Sequence, residues 1–188
     1  MKENKTVFYE GKNGLPSLVS DVKKIKYSVR DLTGINFSLY GIEYLNYEET
    51  AQNILTAFKE KYEDKIRNTL ELLGLHYEGI EFYTPKYYNF NTDDLTLRTS
   101  VKEPKKMIKY IKKYKYKIQK RLDKNQSYDG YIALTVDDVK TELECIEEQG
   151  KDYEPDIIVL GTILQELIDF EEFDIVDYLV FDEDEDYA

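Results

Sequence analysis

The longest regular period in the chain is helical. Ile54, Leu55, Phe58, Tyr62, Ile66, Leu70 and Leu73 recur three and four residues apart, the spacing that gathers apolar side chains onto one stripe of an α-helix. Asn46 followed by Glu49 has the form of a capping box. Gly74 stands where a helix is commonly closed. A helix from Asn46 to Leu73 is about seven turns, roughly 40 Å at ~1.5 Å per residue. It needs another layer to cover its apolar stripe.

The flanking segments supply strands. Tyr77 to Tyr83 places Ile80 and Phe82 on alternate positions, and Leu95, Leu97 and Val101 alternate with Thr96, Arg98 and Ser100. Ile132, Leu134 and Val136 predict a third strand over 131–136. Thr6 to Tyr9 and Ile35 to Tyr40 read as short strands, with Gly11, Gly14 and Pro16 marking a turn. Pro104 opens a second helix through Met107, Ile111, Tyr114, Ile118 and Leu122. A third helix, capped by Asp137 or Thr135, runs to about Glu148, and a fourth passes through Ile157, Leu160, Leu164, Leu167 and Phe170. Strands joined by long connections, without regular βαβ alternation, predict an α+β fold: an antiparallel sheet packed by the long helix, with a helical, acidic C-terminal third. At 188 residues and 41% hydrophobic, one domain over 1–181 is expected, with 1–45 as an N-terminal subregion and 182–188 as an acidic tail.

Charge is unevenly distributed. The whole chain has net charge −12, yet residues 102–124 hold 11 basic and 2 acidic side chains, and residues 137–188 hold 2 basic and 20 acidic ones. A whole-surface polyanion binder is excluded, while blocks of opposite sign point to an interaction surface or to internal pairing. The charged opening has no apolar stretch typical of a secretory leader, and no run is long enough to span a bilayer. A cytoplasmic protein with no membrane partner is expected.

Much catalytic chemistry is missing. The single histidine, His76, and the single cysteine, Cys145, cannot form paired-histidine metal sites, thiolate clusters or a disulfide. Glu144, Glu147 and Glu148 surround Cys145, an acidic setting unlike the electropositive surroundings of nucleophilic cysteines. No phosphate-loop, dinucleotide or zinc-protease motif occurs. The enzyme alternative is a divalent-metal nuclease using Asp93, Asp94 or Asp129. No cofactor or metal is expected.

Two readings follow from the charge blocks. In the first, Asp138, Glu142, Glu144, Glu148, Glu166, Asp169 and Glu172, spaced three and four apart on helices, imitate a phosphate array and bind a nucleic-acid-processing protein. In the second, the basic helix either neutralises the acidic third or grips phosphates itself through Lys105, Lys109, Lys112, Lys113, Lys115, Lys117 and Lys120, with Tyr110 and Tyr116 stacking on bases. Direct nucleic-acid binding is expected only through that helix. Tyr87, Tyr88 and Phe90 crowd one long connection, where exposed rings suit an interface and tucked rings would pin the loop.

The stretch Phe82-Tyr-Thr-Pro-Lys-Tyr-Tyr-Asn-Phe-Asn-Thr-Asp93, followed by Ser127-Tyr-Asp-Gly-Tyr131 and an acidic C-terminus, resembles small acidic proteins carried by bacteriophages and mobile elements of low-GC gut bacteria. The likeness covers roughly residues 75–188, and that group has no established activity. It implies a phage setting, in which a non-enzymatic inhibitor of host restriction or CRISPR nucleases, acting as a DNA mimic, is the leading expectation. A virion or assembly protein is a further alternative.

Overall fold

The computed structural model describes residues 8–10, 16–18, 23–39, 41–83, 94–128, 138–170 and 173–182. In chain order these form β1 (Phe8–Glu10), β2 (Pro16–Leu18), β3 (Lys24–Ser28), α1 (Val29–Thr33), α2 (Tyr47–Leu72), β4 (Leu75–Tyr83), β5 (Asp94–Val101), α3 (Pro104–Tyr128), α4 (Asp138–Gln149) and α5 (Ile157–Leu167), with 3-10 turns at Gly150–Asp152 and Ile175–Tyr178. β1 and β2 pair as an antiparallel ribbon, and β3, β5 and β4 form an antiparallel sheet with β5 in the centre. The α+β fold is as expected from the sequence.

The long helix forms where its periodicity places it. Asn46 Oδ1 accepts the Glu49 N–H at 3.1 Å, satisfying one of the N–H groups a helix start leaves open. Ile54, Phe58, Tyr62, Ile66 and Leu70 are buried, and α2 lies against β4. Gly74 ends the helix at φ 73. Its N–H donates to Glu71 O at 3.1 Å, and its carbonyl accepts from Lys102 and Glu103 N–H at 2.9 Å each. A Cβ there would run into the Glu103 carbonyl. One glycine thus ties the end of α2 to the segment joining β5 and α3.

The sheet includes a strand that the sequence reading does not contain. The segment 131–136, expected as a strand, lies outside the described residues; β3, which the sequence reading does not include, pairs with β5, Lys26 opposite Arg98, and buries Ile25 and Tyr27 between exposed lysines. In β4 the alternation breaks at Glu78, and a bulge between Tyr77 and Gly79 resets it, so that Ile80 and Phe82 face Leu97 and Leu95. Gly79 takes φ 130 at this step, a conformation suited to glycine. The strand expected over Ile35–Tyr40 is not formed by its described residues. Asn36 Oδ1 accepts the Ser38 N–H at 3.0 Å, a local turn that competes with a ladder, while Phe37 and Leu39 still reach the core.

The C-terminal helices α4 and α5 pack against α3, and α5 also against α1. α5 is closely apposed to α1: a Cβ on Gly161 would stand 3.2 Å from Leu32 O, and Gln165 donates to that same carbonyl at 2.8 Å. Leu167, assigned by periodicity to the apolar face, lies at the helix end and is exposed. Beyond it the chain returns to the start of α2, where Leu45 bridges Phe181 and Asp182 N donates to Tyr44 O at 2.9 Å.

Candidate functional site

α3 is built as three faces. Met107, Ile111, Ile118 and Leu122 recur at helical spacing and are buried, fixing the rotation of every lysine between them. One flank meets α4, where Gln119 Oε1 accepts the Val139 N–H at 3.1 Å and Lys112 Nζ lies 3.2 Å from Glu147. The other flank meets α5. Arg121 pairs with Glu166, and Lys117 Nζ approaches the same carboxylate at 3.1 Å.

The third face is turned to solvent. Lys105, Lys109, Lys113, Tyr116 and Lys120 follow one another at four, four, three and four residues and are all exposed, forming a stripe about 22 Å long at ~1.5 Å per residue. Among the described residues these four lysines make no ion pair. Lys113 Nζ sits 5.3 Å from the Tyr114 ring centroid, and Tyr116, 87% exposed, is the most open of the large apolar side chains described. Tyr110, expected to stack beside Tyr116, instead packs on Tyr114 with centroids 4.7 Å apart. Burial pushes its hydroxyl pKa up.

The acidic row inferred from spacing is not assembled as expected. Glu142 falls on the buried face of α4 with Val139, Leu143 and Ile146, only 6% exposed, because its four-residue step from Asp138 coincides with the core stripe. Its Oε1 accepts the Asp156 N–H at 2.8 Å, and desolvation pushes its pKa up to about 7 despite that bond. Glu166 is already matched by two cations; the hydrogen bonds from Arg121 and then Lys117 hold its carboxyl below the usual range. Asp138 is half-buried, whereas Glu144, Glu148 and Asp169 are exposed. Glu172 lies outside the described residues.

Other expected sites divide the same way. Tyr87, Tyr88, Phe90, Asp93 and Asp129 lie outside the described residues, and Asp94 opens β5 opposite Tyr83. Among the described residues no three histidine, cysteine or acidic side chains converge as a metal-binding group, and no helix is long and apolar enough to cross a membrane. His76 is half-buried on β4 opposite Ser100, and Cys145 is half-buried on α4. No protein-family model, curated protein or solved structure matches the chain.

Proposed function

We propose that the protein is a non-catalytic binding module that holds single-stranded nucleic acid along the outward face of α3. The observation that carries this reading is the solvent stripe of Lys105, Lys109, Lys113 and Lys120 around exposed Tyr116, left after Lys112, Lys117 and Arg121 have paired with Glu147 and Glu166. Cations spaced along a rigid rod neutralise successive phosphates, and a ring standing among them offers a stacking platform to an unpaired base. A duplex base already has stacking partners, so the tyrosine favours the single strand. The net charge of −12 opposes approach from a distance, but at physiological salt the field is screened beyond about 8 Å. Local charge then decides.

Fluorescence anisotropy with a labelled single-stranded oligonucleotide tests this. Binding that weakens in K109Q/K113Q/K120Q and in Y116A, with the fold intact, supports the reading; no binding by the native protein refutes it.

A second reading keeps a phage-type inhibitor of a restriction or CRISPR nuclease. It is favoured by exposed Glu144, Glu148 and Asp169 and by the absence of any lysine or arginine from 35–58 and from 152 onward. That surface would capture a cationic nucleic-acid-binding protein, and E144Q/E148Q/D169N would release it.

A further inference from the structure

The geometry points to a nucleotide-binding cleft at the N-terminal end of the lysine stripe, taking one unstacked base with its phosphate. This inference rests on the nucleic-acid reading of α3 and names the part of the ligand that the stripe itself does not hold. The cleft, about 560 Å³, opens between the first turn of α3 and the last turn of α4, within the ~300–1,000 Å³ of ordinary small-ligand sites. Pro104 and half-buried Ile108 from α3 and buried Ile146 from α4 supply its apolar wall.

The charges at its mouth are not balanced. Glu103 is tied to Lys106 at 3.0 Å and Glu147 to Lys112 at 3.2 Å. Lys105 and Lys151, both lining the cleft and both exposed, make no ion pair among the described residues. An apolar pocket with two uncommitted ammonium groups at its rim fits a ligand with a flat apolar body and an anionic group. A nucleotide has that form, and bases are held between apolar side chains when they leave the stack. Lys105 belongs to both features, so a strand following α3 would bring its terminal nucleotide to this opening.

The test uses the full chain and 2-aminopurine riboside 5′-monophosphate, whose fluorescence changes when the base leaves water, with inorganic phosphate as competitor. The expected result is saturable binding, weakened about tenfold by K151Q, the scale of one charge-assisted hydrogen bond. Ile108→Trp, which fills the cleft, also weakens it, while K109Q/K113Q/K120Q leaves it unchanged. An unchanged fluorescence signal, or phosphate competing as well as the nucleotide itself, overturns the cleft. Stripe-dependent oligonucleotide binding that is insensitive to K151Q and Ile108→Trp would leave the α3 reading standing and remove only the cleft. Monophosphate binding without any oligonucleotide binding would do the reverse.

Discussion

Glu142 Oε1 accepts the backbone N–H of Asp156 at 2.8 Å, so a buried carboxylate on α4 positions the residue that caps α5. Asp156 in turn accepts from Ile158 and Val159 N–H at 2.8 and 3.3 Å. Two helices are joined through an acid that burial disfavours in its charged form, with Asp156 and Asp138 raising its pKa further.

This arrangement fixes a pH dependence. The folded-state pKa of Glu142 is raised to about 7, above an unfolded value of roughly 4.3, so the folded state binds the proton more tightly. Its contribution is most favourable below the unfolded value and is lost as pH rises toward 7. Glu142→Gln keeps the acceptor and removes the charge. Urea unfolding should find the variant more stable than the native protein at pH 8, by on the order of 3 kcal/mol, and the gap should close near pH 4.5. An equal gap at both pH values would contradict the assignment.

Gly74→Ala forces a side chain into a left-handed backbone and against the Glu103 carbonyl. A loss of more than about 2 kcal/mol in thermal or urea unfolding is expected. Gly41 has a similar φ of 77 but nothing within 4 Å, so Gly41→Ala should cost only about 1 to 2 kcal/mol.

Glu166→Gln would release Lys117 and Arg121 from their shared carboxylate. If α3 is a phosphate-binding rod, this variant binds an oligonucleotide more tightly than the native protein and with a steeper salt dependence. Unchanged affinity would mean that the α5 flank of α3 is out of the ligand's reach.

The elements most legible in the sequence were those whose period and caps agreed. For α2, the stripe from Ile54 to Leu70, Asn46 and Gly74 all point to the same helix. β3 was hidden because five residues with two lysines show only Ile25 and Tyr27 as apolar signal. The bulge at Gly79 masks the true alternation of β4. For the site, spacing identified a basic helix but not its rotation. Met107, Ile111, Ile118 and Leu122 set which lysines meet solvent, whereas the partners of Lys112, Lys117 and Arg121 come from helices distant in sequence. Glu142 falls off the expected acidic row for the same reason: a four-residue step does not fix which stripe a neighbouring helix covers.

The most direct measurement is the salt dependence of single-strand binding between 50 and 200 mM salt for the native protein and for K109Q/K113Q/K120Q. Four phosphate contacts at Lys105, Lys109, Lys113 and Lys120 predict a slope of log K against log salt of about −2.8, about a 50-fold loss of affinity over that range; the triple variant, with one contact left, should fall to a slope of about −0.7. The same slope in both proteins would show that the outward face of α3 does not hold the strand.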